Sequence, residues 1–402
     1  MATSNEEFVA KAAIVSADLA AAGKLNPKQA DKFIDFVFDE SILPSFARIE
    51  RFRNEQLDID KIGVGQRVAV AASEATDPGL RRGVTHTKVT LEPKEVMLPT
   101  ELSDTYKEHN IEGESVVTSV LRIFARQLNN DLEEAYIHGN QGGYLAPQSE
   151  MLEGGSSTEY VEDTYLALFD GFLTKAQGGN LYDAGGASLS AGLFRRMLSA
   201  MPNKFKRNRN LLKWLVPVEL EEIWRERVAS RATAMGDQAL NAAGNLTPYG
   251  IEMIPVPLMD LHPQQVETFA LGASATVALD FAPILAGSVV VMEDAIVGGT
   301  FQPRTAYIED TDYTVDYTAG TITNLDAGIG AGEIIRVSYR SMPQILLTVR
   351  DNMIIGIGRD ITMETDRAIY RRMDQFATTV KVDVQFEELT ALVLGTNIND
   401  DL

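Results

Sequence analysis

Cysteine is absent from the 402 residues, which excludes disulfides, thiolate nucleophiles and Cys-ligated zinc and fits a reducing compartment. Histidine is scarce. The four, at 86, 109, 138 and 262, include no i, i+4 pair that would set two imidazoles on one helix face, so neither a metal nor a cofactor is expected. Long apolar runs are also missing: the nearest candidate, Phe281 to Met292, is short and contains Pro283 and Gly287, so no membrane-spanning helix is expected. The opening MATSNEEFVAK places two glutamates where a signal peptide needs positive charge, and Asp18 interrupts the Ala-rich stretch that follows. The reading is a soluble chain made in the cytoplasm.

What is present is an ordinary folded composition, 45% hydrophobic, 23% charged and 7% aromatic, in a chain long enough for about two to three domains. Against 57 Asp and Glu stand 36 Lys and Arg, a net charge of −21. Phosphates repel so acidic a surface, which argues against a general nucleic-acid binder.

Residues 5–38 read as helical, with a break at Gly23 and a restart at Asn26-Pro27, and Pro44 is expected to end this arm. Between Gly63 and Pro99 the pattern becomes a long two-stranded hairpin: Val68–Val70 and Val84–Leu91 around the turn signal Asp77-Pro78-Gly79. Its hydrophobic residues are sparse, so it should project and pack against something else. Residues 114–138 carry the clearest helix. Val117, Val120, Leu121, Phe124, Leu128, Leu132 and Ala135 recur at spacings of three and four, with Gly139 placed as its C′ residue.

After a Gly/Ser linker near 153–157, helical patterns at 162–177, 188–201 and 218–234 alternate with apolar stretches at Leu211–Val216 and Ile251–Pro257, a mixed α/β layering. From about 268 to 341 the chain reads as all-β. Its stretches are Ser288–Met292, Ala306–Ile308, Tyr313–Tyr317, Thr321–Thr323 and Glu333–Tyr339, and Thr318-Ala319-Gly320 fits a hairpin loop with a left-handed Gly. Ile345–Val349, Met353–Ile357 and Lys381–Phe386 look like strands before a final apolar stretch, Leu389–Leu394.

Five places carry residue types that could do chemistry or make charged contacts. Gly328–Gly332 leads into a strand and reads as a hairpin turn rather than a phosphate loop. His138 followed by Gly139 could be a catalytic turn with a general base, but reads better as a helix C-terminus where an imidazole favours the dipole. Asp310, Asp312 and Asp316 lack the sharp-turn Gly and distal Glu of a calcium loop. The cluster Lys204-Phe-Lys-Arg207-Asn-Arg209 suits an intersubunit salt-bridge patch or a solvated loop, with nucleic acid as the sharper alternative. Arg367, Arg371 and Arg372 follow Glu364 and Asp366 at helix-like spacing, suited to i, i+4 pairs or an intersubunit contact. No catalytic set emerges.

Taken in order, these elements resemble the major capsid proteins of tailed bacteriophages with the HK97-type fold. The residues that carry the resemblance are Pro93–Pro99 into Ser115–Gly139 with its ending Asp131-Leu-Glu-Glu-Ala-Tyr-Ile-His-Gly139, Leu193–Leu198, Pro202, Leu211–Pro217, Gly250–Pro257, Asp360–Glu364 and Phe376–Asp383. The likeness implies an α+β chain divided into an N-terminal arm (1–62), an E-loop hairpin (63–99), a P-domain with a spine helix (100–159), an A-domain (160–267) and a C-terminal return (343–402). An inserted β-sandwich-like module (268–342) departs from the basic pattern and resembles modules of phage tail proteins.

The resemblance implies a non-enzymatic subunit that forms pentamers and hexamers of an icosahedral head. Its partners would be a separate scaffolding protein, a portal, decoration proteins and packaged double-stranded DNA held without sequence specificity. Subunit contacts would fall on Arg81, Arg82, Lys88, Lys94, Arg367, Arg371 and Arg372, and the spine-helix core on Val117, Leu121, Phe124, Leu128 and Leu132. Lys88 and Lys94 lie where some members crosslink, but no Asn or Glu aligns and crosslinking is not carried over. An inserted module should sit outside the shell and be removable at 270–340, and net acidity would let a packaged genome slide. A tail or baseplate component and an α/β enzyme using the His138 turn or the glycines at 328–332 are the competing readings.

Overall fold

The computed structural model describes residues 13–14, 41–63, 69, 83–109, 116–151, 159–230, 246–271, 275–294, 296–297, 300–301, 304–325, 329–330 and 333–400. The helical arm read at 5–38, Val68–Val70, the turn at 77–79, Arg81, Arg82 and most of Gly328–Gly332 lie outside them. Within the arm, Ala13–Ile14 is instead a strand, parallel to Glu101–Leu102.

A five-stranded sheet is the centre of the α/β part, in the order Glu252–Val256, Leu212–Pro217, Ile345–Val349, Leu392–Thr396, Asn180–Asp183. Its inner strands are apolar at most positions because both faces are covered; the exceptions include Lys213, which pairs with Glu252 of the edge strand, and Thr348. Register places Leu346 beside Leu215 and Leu394, and Leu347 beside Trp214 and Val393. Alternation then sends the first row into one core and the second into another. The first core joins Leu215, Leu346 and Leu394 to Leu128, Leu132, Ala135, Phe169, Phe172, Val380 and Val382. The second joins Trp214, Leu347 and Val393 to Phe194, Met197, Leu220 and Trp224 on helices Ala191–Ala200 and Val218–Ala229. Each such fully buried side chain contributes about 1.5–3 kcal/mol.

The long helix is Val116–His138. Its last three turns enter the first core, whereas Val117, Val120 and Leu121 pack on a smaller cluster of Leu102, Tyr106 and Phe376; Phe124 between them is half-buried. Gly139 ends the helix without a left-handed φ, which corrects the expected C′ role. A Cβ there would lie 2.4 Å from the Phe169 carbonyl oxygen, and Gly171 N–H donates to the Gly139 carbonyl at 2.7 Å. Close approach of two backbones demands the glycine.

A second five-stranded sheet runs Ala13–Ile14, Lys94–Ser103, Met373–Phe386, Met353–Ala368, Arg48–Arg51. Its middle is a long antiparallel hairpin, Met353–Ala368 with Met373–Phe386, so Arg367, Arg371 and Arg372 lie on a strand end and turn, which corrects the helical spacing. Other corrections are local. Pro44 sits in the first turn of Leu43–Phe46 instead of closing the arm. Residues 162–177 hold the end of strand Glu159–Asp163, a turn and the short helix Phe172–Ala176. Ala306–Ile308 is irregular, the strand there being Arg304–Thr305. The helix read at 218–234 ends at Ala229, its last residues lying outside the described ones.

The all-β segment comprises two three-stranded sheets: Gln264–Leu271, Glu333–Arg340, Val290–Glu293, and Thr276–Ala278, Thr321–Asn324, Tyr313–Asp316. Val291, Ile335, Val337 and Tyr339 of one meet Tyr313 and Ile322 of the other in a core of their own. Gly320 has φ +61° and turns the hairpin as expected. The module is nevertheless stitched to its surroundings. Arg304–Thr305 adds to the Glu159–Asp163 strand, Met292 packs on Leu145, and Arg336 reaches Asp294 at 3.1 Å and Glu162 at 3.5 Å.

Candidate assembly surfaces

Two elements extend beyond the cores. The first is the hairpin Leu57–Gly63 with Thr85–Leu91. Among the described residues the strand paired with Thr85–Leu91 is Leu57–Gly63, whose apolar/charged pattern Leu-Asp-Ile-Asp-Lys-Ile was the signal for it. Asp58 accepts from Thr90 at 2.7 Å, Lys88 at 2.9 Å and Gln56 at 2.9 Å. Those hydrogen bonds, Thr90's foremost, hold its carboxyl down at about 2, and Asp58 in turn raises the Lys88 ammonium. Lys88 therefore staples its own hairpin. Lys94 is exposed on the neighbouring strand.

The second is the end of the long Met353–Phe386 hairpin, where Ile369 is 74% and Tyr370 104% exposed. The three arginines there converge on carboxylates of the same chain. Arg367 reaches Asp104 at 2.9 Å and Asp374 at 3.5 Å, Arg371 reaches Glu101 at 3.8 Å and Arg372 reaches Asp104 at 3.9 Å. Lys107 bridges Asp104 at 3.0 Å and Asp374 at 2.6 Å. Its hydrogen bond holds the Asp104 carboxyl below the usual range. Glu364 and Asp366 are not their partners; Asp366 accepts from the Arg367 N–H. Such a network stiffens the tip and leaves its apolar pair outermost. The network was not legible because its two halves, Asp104 and Arg367, lie 263 residues apart in sequence.

At the base of both hairpins an open cleft of about 910 Å³ is lined by Arg51, Phe52, Arg53, Pro93, Arg359 and Lys381 among others. Glu95 pairs with Arg359 and Lys381 beside it.

The candidate catalytic groups have other roles. His138 is buried, its Nε2 3.1 Å from both the Asp260 N–H and the Leu258 carbonyl oxygen, and burial pushes its pKa down. A neutral imidazole cannot serve the helix dipole as a cation, which corrects that expectation. Asp312 and Asp316 accept backbone N–H groups of Ile308, Thr318 and Ala319 and shape turns. Among the described residues no group of three or more His, Asp or Glu could hold a metal ion. No helix among them is long and apolar enough to cross a membrane.

The two sheets, the long helix crossing between their cores and the projecting hairpins together make the HK97-type capsid fold. The capsid of a native GTA particle superposes with a TM-score of 0.52 at 13% identity, over 94% of this chain and 98% of that one. An encapsulin from Synechococcus elongatus PCC 7942, in the holo-SrpI complex, gives 0.50 at 8% identity over 96% of each chain. In sequence, the chain is 25% identical over 390 residues to a Bacillus subtilis (strain 168) protein described as "Putative prophage capsid protein YqbE", covering 96% of this chain and 97% of that one. No family model matches.

Proposed function

We propose that the chain is the major capsid subunit of a tailed phage or prophage, a structural protein whose copies assemble as pentamers and hexamers into an icosahedral head around double-stranded DNA. The observation that carries this reading is its extent: the relation to the prophage capsid protein and the capsid fold both span nearly the whole chain. In this reading the hairpin from Leu57 to Leu91 serves as the E-loop and the long helix with the Met353–Phe386 hairpin as the P-domain. The five-stranded sheet with its two helices serves as the A-domain, and the segment 268–342 is an insertion facing outward. Scaffolding, portal and decoration proteins are its expected partners.

The physical support is that both hairpins carry side chains their own chain leaves uncovered, Ile62 at 68% and Tyr370 at 104% exposure. Closed point-group assembly covers such surfaces with the next copy, and several modest contacts per subunit suffice to hold a shell. The experiment is size-exclusion and negative-stain electron microscopy of the protein expressed with and without its neighbouring phage genes. Closed polyhedral shells, or five- and six-membered rings, are expected; a monomer or dimer under both conditions overturns the reading.

A further inference from the structure

Charge in this chain is segregated. Although the net charge is −21, the sequence between Asp183 and Glu219 holds no Asp or Glu. Besides the half-buried Lys213, which pairs with Glu252, that stretch carries Arg195, Arg196, Lys204, Lys206, Arg207 and Arg209, all exposed except the half-buried Lys206. Their contacts within the chain leave the charges standing. Lys206 donates to the Ser199 carbonyl at 3.4 Å and Arg209 to the Tyr249 carbonyl at 2.9 Å, while Lys204 lies over the Phe205 ring. Lys204 also acts electrostatically on Glu388, which Lys61 approaches at 3.6 Å.

The helix Val218–Ala229 is the opposite. Glu219, Glu222 and Glu226 are exposed at i, i+3 and i+7, one face of a helix. The basic residues nearby are spent inward: Arg225 pairs with the buried Glu221 at 2.6 Å, and Arg227 donates to the Leu189 carbonyl.

Both helices cover the same face of one sheet, sharing a core through Phe194 and Trp224, whose rings are 5.0 Å apart. Ala191–Ala200 packs on the Asn180–Asp183 and Leu392–Thr396 strands at one edge, and Val218–Ala229 on Leu212–Pro217 and Glu252–Val256 at the other. Cationic and anionic faces therefore occupy opposite flanks of one sheet, and each flank is offered to something else.

We propose that these flanks meet head to tail: the cationic flank around Arg195, Arg196 and Arg207 of one copy docks on the Glu222/Glu226 face of the next, building the ring of a capsomer. This rests on the capsid-subunit reading. A heterologous contact of this kind closes into a ring when its rotation allows, and complementary potentials set its speed and register more than its strength. Duplex DNA would also satisfy the cations, but it would leave the acidic flank unused and would face repulsion from the rest of an acidic chain.

The test reverses one flank at a time, in R195E/R196E and E222K/E226K, with far-UV circular dichroism and melting curves to check that each folds. Expected is a drop of at least about tenfold in the yield of rings and shells for either variant, and salt sensitivity of wild-type assembly, because screening shortens to about 10 Å at 0.1 M. The chain carrying all four changes should recover assembly, and an equal mixture of the two variants should recover six-membered rings, in which copies can alternate, but not five-membered ones. Wild-type yields from either variant, or no recovery in the fourfold variant, overturn the proposal. So does normal assembly by R195E/R196E with loss of retained DNA, which would assign the cations to phosphate. A wild-type chain that never assembles removes the capsid reading itself, a result distinct from shells that ignore the flanks.

Discussion

Glu133, wholly buried on the long helix, holds Leu43: its Oε2 accepts the Leu43 N–H at 3.0 Å and the Ile42 N–H at 2.6 Å. These are the orphan donors at the start of the Leu43–Phe46 turn, and a carboxylate remote in sequence caps them. The chain is thereby pinned where it enters the first core.

Glu133→Ala strands those buried N–H groups and is expected to cost about 2–4 kcal/mol in chemical denaturation. Glu133→Gln keeps one acceptor and should cost distinctly less. Equal losses in both would show that the capping bonds are not what matters.

Burial lowers the His138 pKa below its usual 6.5, so the folded chain binds fewer protons than the unfolded one as pH falls below that value. Stability from this group is then present above pH 6.5 and lost on acidification, by at most about 1.4 kcal/mol per pH unit. Glu267 and Asp383, whose carboxyls burial pushes up, act with the opposite sign, losing stability as pH rises through their raised pKa values. The informative measurement is the difference in melting temperature between wild type and His138→Asn from pH 7.5 to 5.5. It should shrink on acidification; a constant gap would rule out the neutral buried imidazole.

Arg336 joins the β-module to its surroundings through Asp294 and Glu162, with its side chain 7% exposed. Arg336→Met leaves two carboxylates facing a gap, an effect of about 3–5 kcal/mol for broken buried pairs. Limited proteolysis should then cut first within 264–340. A bare deletion of 270–340 also uncovers Leu145 and the edge of the Glu159–Asp163 strand, so it should yield less soluble protein than a deletion that also replaces Leu145 with a polar residue.

The exposed tip offers a cleaner separation of folding from assembly. Ile369→Ser with Tyr370→Ser removes nothing buried in one chain, so its unfolding midpoint should stay within about 0.5 kcal/mol of wild type. Shell yield in the expression experiment should fall. Normal shells would show that the tip is not covered by a second copy.

Sequence and structure agree where periodicity is local. The recurrence from Val117 to Ala135 predicts the long helix Val116–His138, and the largely apolar stretches at 212–217 and 345–349 predict strands covered on both faces. Agreement fails beyond Ile357, because residues 360–367 are exposed throughout and only Ile361 and Met363 mark a short alternation there; pairing with Met373–Lys381 makes it a strand. The candidate interface residues were legible as charges but not as partners. Lys88 finds Asp58 and Arg367 finds Asp104 only after the chain returns on itself.

By itself, then, the sequence determined the acidic, cysteine-free composition, the long helix, the buried strands and the order of elements that resembles a capsid subunit, since each depends on neighbours within a few turns or on sums over the chain. Tertiary structure decided which strands pair, which arginines are spent within the subunit, and that cationic and anionic helices flank one sheet. Those outcomes depend on contacts between distant segments, whose geometry exists only once loop closure has been offset by the burial of the two cores.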